Sequence, residues 1–261
     1  MDSTTESAET EAHRSGPVFL ASQKAISQHE SCGKHSAQLP SPVSSVSSSA
    51  LPSPQDSRAG AMRSLTLAGP AGQLEAVLNE GAPHAHSGAR FAALVCHPHP
   101  LYGGTLHNKV VHRMARALRD SGAVVFRFNF RKAGIPEGLE DARAALAWLR
   151  ARYPDLPYAL AGFSFGTRVI TGLGCAEDAA ARFLLAVGFS PRFGGLDHLG
   201  TCPIPKIFIQ STQDQYAPRS EFESAYACFA PPKQLIWIDA PDHFFAGALD
   251  ALESTVRSAV P

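Results

Sequence analysis

Leu160-Ala161-Gly162-Phe163-Ser164-Phe165-Gly166-Thr167-Arg168 is a Gly-x-Ser-x-Gly pattern, placed where the apolar run Tyr158–Ala161 gives way to a stretch that can be helical. A serine at such a junction sits on a tight strand-turn-helix elbow. Glycines two residues to either side let the backbone turn sharply and lift the hydroxyl clear of a sheet. Alone, the pattern is weak, because at ordinary glycine and serine frequencies a chain this long matches it by chance roughly one time in ten. Its meaning depends on what surrounds it.

Outward from the elbow, short apolar runs alternate with helix-like stretches from Met62 onward. The runs are Leu65–Leu67, Leu74–Leu78, Phe91–Cys96, Val124–Phe130, Tyr158–Ala161, Leu184–Phe189, Ile207–Ile209 and Leu235–Ile238. Helices are expected over Lys109–Leu118, Leu139–Arg150, Thr167–Leu173, Glu221–Cys228 and Phe245–Val256. Within Asp141–Arg150 the apolar Ala142, Ala145, Leu146 and Leu149 fall on one face, with Arg143 and Arg150 turned elsewhere. Runs rich in Val, Leu, Ile and Phe without strict alternation suit a mostly parallel sheet covered on both faces. Strand–helix alternation then predicts a doubly wound α/β domain over residues 62–261.

Residues 1–61 differ in composition. Ser41–Pro54 is mostly Ser and Pro, and no apolar period emerges upstream of it. Such a segment cannot bury enough surface to offset its ordering entropy and is expected to be a disordered Ser/Pro-rich leader. Met62 leaves a second reading open, in which translation starts there.

Composition narrows the function classes. The formal net charge is zero and there is no basic stripe, so neither nucleic acid nor an anionic membrane surface is an expected partner. No apolar run reaches the ~18–20 residues that span a bilayer. The start Met1-Asp2-Ser3-Thr4-Thr5-Glu6 lacks a charged-then-apolar export signal. Five cysteines without CxxC spacing (Cys32, Cys96, Cys175, Cys202, Cys228) fit reduced thiols and a cytoplasmic setting better than a disulfide framework or zinc site.

In a parallel sheet the strand C-termini share one edge, and the loops after them converge there. Past Phe91–Cys96 comes His97-Pro98-His99-Pro100-Leu101-Tyr102-Gly103-Gly104; past Tyr158–Ala161 comes Ser164. Past Ile207–Ile209 comes Ser211-Thr212-Gln213-Asp214, and past Leu235–Ile238 comes Asp239-Ala240-Pro241-Asp242-His243. Serine, carboxylate and histidine thus follow separate strands in the order Ser164, Asp214, His243, the order of a hydrolase built on such an elbow. In that arrangement His243 takes the serine proton and returns it to the leaving group, while Asp214 holds the imidazole tautomer. One oxyanion donor is expected to be the backbone N–H of Phe165, and the other comes from the loop after Phe91–Cys96. Pro98 and Pro100 have no N–H, so His99 is the expected loop donor, with Leu101 second.

The segments His97–Thr105, Asn108-Lys109-Val110-Val111, Arg127-Phe128-Asn129-Phe130-Arg131, Ala161–Gly166 and Asp242-His243-Phe244-Phe245 resemble a bacterial family of small, cap-less α/β-hydrolases similar to dienelactone-hydrolase-type enzymes. The resemblance covers about Met62 to the C-terminus and implies an α/β-hydrolase fold. Members usually continue the Asn-Phe-Arg segment with glycine and a small residue. Here Lys132-Ala133 follows, and the stretch Gly134–Leu139 looks shorter than usual, so the site's rim is expected to differ.

Other residues compete for each role. Ser164 could be a helix N-cap. Asp197, Asp239 and Asp242 compete with Asp214, although Asp242 adjoins His243 and would point away from it. His97 and His99 look like an i, i+2 metal pair, but neither His107 nor His112 offers a clear third ligand, so no metal and no cofactor are expected. Cys96 and Trp148 read as core residues and Arg131 as half of a structural ion pair. The 16 residues from Ser190 to Pro205 leave no room for a lid domain, so Leu101–Leu106 and Ser190–Gly200 should shape an open site. The expected function is hydrolysis of a small-molecule carboxyl ester through an acyl-enzyme. A peptide or amide hydrolase on the same triad and a non-catalytic binding protein of the same fold are the alternatives. Sequence sets neither the natural substrate nor the oligomeric state.

Overall fold

Eight strands form one sheet in the computed structural model, which describes residues 62–69, 71–80, 88–176 and 180–261. The strands are β1 (Met62–Gly69), β2 (Gly72–Asn79), β3 (Phe91–Cys96), β4 (Ala123–Phe128), β5 (Tyr158–Phe163), β6 (Leu184–Val187), β7 (Lys206–Ser211) and β8 (Lys233–Ile238). Each contains or overlaps one of the apolar runs read from the sequence. Their order is β1-β2-β4-β3-β5-β6-β7-β8. β1 and β2 pair antiparallel, β2 is antiparallel to β4, and all remaining neighbours are parallel. The expected leader lies outside the described residues.

Strands β3 to β7 are buried along their whole length. Alternate residues of each strand feed opposite faces, so both faces need covering. On one face Val124, Phe126, Phe128 and Leu160 join the apolar sides of α2 (Ile135–Arg152), α3 (Phe165–Gly174) and α4 (Arg219–Ala227). On the other, Val125, Val95 and Phe163 join α1 (Lys109–Asp120) and α5 (Leu249–Ala259). Trp148 of α2 lies in the first of these layers, stacked on Phe126 at a ring distance of 4.8 Å. Burying a side chain of that size contributes roughly 1.5–3 kcal/mol.

Two helix starts differ from the periodicity by a full turn, while α3 and α4 each start two residues early. Helix α2 begins at Ile135 rather than Leu139, because Pro136 occupies its first turn, where a missing N–H costs nothing. Gly134–Leu139 is therefore mostly helix, and the part of the rim expected to differ is the first turn of α2. Helix α5 starts at Leu249 rather than Phe245. Asp242 Oδ1 accepts from the N–H groups of Phe244 (2.9 Å) and Ala246 (3.1 Å), and Phe245 adopts φ 56°, which breaks any helix there.

The cysteine expectation is corrected. Cys175, just past α3, is disulfide-bonded to Cys202, just before β7, across a sequence separation of 27. No local spacing announced the pair. The two meet because α3 runs back to the edge where the parallel strands start, and β7 starts there too. The cysteine pattern therefore no longer argues for a reducing compartment. Among the described residues, no helix is long and apolar enough to cross a membrane.

Closing a loop of that length stabilises the fold by about 3–4 kcal/mol in the chain-entropy account. Thiol titration of denatured protein should find two fewer reactive thiols before reduction than after, and Cys175→Ala/Cys202→Ala should lower the unfolding midpoint. Equal thiol counts would remove the bond.

Candidate active site

The strand order reverses around β3, which has β4 on one side and β5 on the other. The loops after β3 and β5 therefore leave the sheet side by side, opening a crevice at the strand C-termini.

Ser164 occupies the tip of the β5–α3 turn with φ 53° and ψ −117°, a strained conformation for a residue with a side chain. Its N–H donates to the carbonyl of Val187 (3.0 Å), and its carbonyl accepts from the Thr167 N–H (2.9 Å). Its side chain makes no cap hydrogen bond, so the ordinary N-cap role is not used. The flanking glycines serve space rather than left-handed φ. A β-carbon on Gly162 would stand 2.4 Å from the Gly166 carbonyl oxygen, and one on Gly166 would stand 2.3 Å from the Cys96 carbonyl oxygen.

Asp214 and His243 are brought together from the loops after β7 and β8. Asp214 Oδ2 accepts from His243 Nδ1 at 2.7 Å, with both side chains buried. The other carboxylate oxygen accepts from the N–H groups of Tyr216 (2.8 Å) and Ala217 (3.1 Å). A carboxylate so supplied can only accept, which puts the imidazole proton on Nδ1 and leaves Nε2 as an acceptor. The ring is sandwiched between Phe163, stacked at 5.0 Å, and the edge of Tyr216, also at 5.0 Å. Its Nε2 is buried without a hydrogen-bond partner; Ser164, though on the same cleft, is not hydrogen-bonded to it. The competing carboxylates are occupied elsewhere. Asp239 accepts from the Thr212 hydroxyl (3.0 Å), Asp242 caps its own loop, and Asp197 opens a short 3-10 turn.

The loop after β3 is held by the end of β4. Arg127 donates to the Leu106 carbonyl (3.0 Å), Asn129 Oδ1 accepts from the Leu106 N–H (2.8 Å), and the Phe130 N–H donates to His97 Nε2 (2.8 Å). His97 Nδ1 lies 2.6 Å from the Pro98 carbonyl. Both ring nitrogens are thus engaged within the fold, which leaves neither for a metal. Burial pushes its pKa down to about 4, so the imidazole is neutral near pH 7. His99 lies on the cleft wall with its ring against Phe165 and Tyr102, while Leu101 lies off that wall. The N–H of Phe165, first in α3, has no partner within the helix. Burial pushes the Cys96 thiol far up, as befits a core residue, and Arg131 is paired with Asp141.

These parts surround a cleft of about 790 Å³. Tyr102 and Gly104 from one expected rim loop and Ser190, Arg192 and Phe193 from the other line it, as do Ala133 and Ile135 at the part of the rim expected to differ. Sequence reading did not anticipate Arg168, Tyr216 or Phe244 on its walls. For Arg168 a signal existed, since it follows Ser164 by one helical turn. Ser190–Pro205 holds only two short 3-10 turns, and no lid domain stands over the cleft among the described residues.

Fold and cleft together define an α/β-hydrolase-fold protein whose described residues include no lid domain. No protein-family model matches the chain. An uncharacterized protein of Rickettsia prowazekii is 33% identical over 172 residues, covering 59% of this chain and 71% of the relative. A solved α/β serine hydrolase homologue from Coxiella burnetii superposes with a TM-score of 0.70 at 28% identity, covering 76% of this chain and 97% of the other. A lid-less α/β serine hydrolase from Xanthomonas campestris gives 0.68 at 29% identity, covering 77% and 97%. The chain belongs to this family of small, cap-less α/β-hydrolases.

His97 predicts a pH dependence of stability. Unfolded, its imidazole titrates near 6.5; folded, near 4. Between those values the unfolded chain binds the additional proton, so stability is full above pH 6.5 and falls as pH drops toward 4, by up to about 3 kcal/mol. His112 and His198, also lowered by burial, add to the slope. Urea unfolding at pH 7 and 4.5 should show His97→Asn less stable at pH 7 but with the shallower pH slope. An unchanged slope would contradict the assignment.

Proposed function

We propose that the protein hydrolyses carboxyl esters through an acyl-enzyme, with Ser164 as nucleophile. The observation that carries this reading is the buried His243 imidazole. Its Nδ1 is committed to Asp214 while its Nε2 is unpartnered on the cleft that also holds the strained Ser164. Serine is a poor nucleophile at its free pKa and needs a base at hand. Nε2 accepts the hydroxyl proton as Oγ attacks the ester carbonyl, and the Asp214 carboxylate stabilises the resulting imidazolium. The carbonyl π-electrons move onto oxygen, where the N–H groups of Phe165 and His99 are the donors in this reading. Collapse of the tetrahedral intermediate expels the alcohol, which takes its proton from Nε2. Water, deprotonated by the same nitrogen, then attacks the acyl-serine and releases the carboxylic acid.

The missing Ser164–His243 hydrogen bond does not oppose this, since such contacts are often long or misaligned without substrate and tighten in the Michaelis complex. An uncovered cleft suits a small or flexible acyl group better than a deeply enclosed chain.

The wild-type protein should cleave 4-nitrophenyl butyrate, with kcat falling by about a millionfold in Ser164→Ala and in His243→Ala. A fluorophosphonate probe should label wild type and not Ser164→Ala. Activity and labelling that survive both substitutions would leave a ligand-binding role for the fold.

A further inference from the structure

Arg168 stands on α3 one turn beyond Ser164, and its half-buried side chain lines the same cleft. Residues four apart on a helix have β-carbons about 5–6 Å apart. Side chains on a helix also lean toward its N-terminus, so the Arg168 side chain leaves α3 in the direction of the serine end of the cleft.

The guanidinium is anchored on one side and unanswered on the other. One N–H donates to the Gly194 carbonyl (3.0 Å), and the group lies 5.9 Å from the centre of the Phe193 ring. Gly195, at φ 67°, passes so close that a β-carbon there would sit 3.5 Å from Nη2. Among the described residues Arg168 has no carboxylate within 4 Å, and none of the residues lining the cleft is acidic. Its cleft neighbour Arg192 differs, being held by Glu221 through two bonds of 2.6 Å. Arg131 likewise has Asp141.

We infer that Arg168 binds a carboxylate carried on the acyl part of the substrate, so that the protein selects half-esters of dicarboxylic acids over neutral esters. The inference rests on the ester reading for the identity of the reacting group, and on the placement of Arg168 alone for the anion. Burial lowers the pKa of this guanidinium, the mark of a charge that has lost water without gaining an opposite charge. A planar guanidinium matches a carboxylate with two parallel N–H···O bonds, which restores what desolvation removed. Phe193, Tyr216 and Phe244, all partly exposed at the cleft, offer an apolar wall for the methylenes between. An adipoyl chain places its free carboxylate roughly 6 Å from the acyl carbon, within the reach of a residue one turn from the nucleophile.

The inference is tested by binding in the Ser164→Ala background, where no turnover is needed. Calorimetry should show the monoanilide of adipic acid binding at least tenfold more tightly than neutral hexananilide. The preference should shrink in high salt, fall to within about twofold when Arg168→Met is added, and be partly retained in Arg168→Lys. Equal affinity for the two anilides, a preference that survives Arg168→Met, or binding of neither at millimolar concentration would each overturn the assignment. Turnover separates the two readings. With 4-nitrophenyl adipate and 4-nitrophenyl hexanoate, the wild-type ratio of kcat/KM should favour the half-ester at least tenfold, and Arg168→Met should erase that ratio mainly through KM. If neither ester is cleaved while the anilide preference holds, the ester reading fails and the anion site stands.

Discussion

The carbonyl oxygen of Cys96 lies 2.3 Å from where a β-carbon on Gly166 would be, and much of the site depends on that absent carbon. Because Gly166 has none, the first turn of α3 can press against the end of β3. That approach brings Phe165 and the loop beginning at His97 beside Ser164, and residues of all three line the cleft. The loop is then fixed from the β4 side. Arg127 and Asn129 hold Leu106, and Phe130 holds His97 through a ring that burial keeps neutral. Such a loop has little freedom to drift, which is what fixed oxyanion donors require on the proposed mechanism.

A second constraint is electrostatic. Asp214 is buried, yet both of its oxygens are occupied, one by two backbone N–H groups and the other by His243. A buried carboxylate with its lone pairs used is tolerable; one stripped of partners is not. The pair therefore holds its geometry without help from solvent, and Phe163 and Tyr216 keep the ring from swinging. Arg168 shows the reverse condition, a partly desolvated cation with no carboxylate within 4 Å among the described residues.

Much of this was legible in the sequence because local patterns and short motifs carried it. Apolar runs located every strand, and the loops after β3, β5, β7 and β8 brought the chemistry-bearing residues to one edge. What sequence missed depended on three-dimensional accidents of the fold. The Cys175–Cys202 bond joins segments that only a parallel sheet returns to the same edge. The start of α5 shifted because the Asp242 side chain competes with the backbone for the N–H groups of Phe244 and Ala246, a choice that periodicity does not see. The glycines of the elbow were read as sources of conformational freedom, whereas their φ values are unremarkable and their role is steric. The role of Arg168 is not legible in the motif that contains it, because unpaired charge is a property of surroundings rather than of spacing.

The bare cleft gives these residues a particular importance. Among the described residues no lid domain stands over the site, so none of them supplies the closing motion of such a domain to expel water or to sense the substrate's shape. Discrimination must then come from groups already in position, and fixed charge is the cheapest of these, because an unmatched guanidinium penalises a neutral ligand without any movement. Arg168 sits on a helix whose first turn is locked against β3, while the aromatic side chains of the cleft belong to exposed loop residues such as Phe193, beside its guanidinium, and Phe244. Charge selectivity on the rigid wall and apolar tolerance on the loop-borne one would let the protein accept acyl chains of varying length while insisting on how they end.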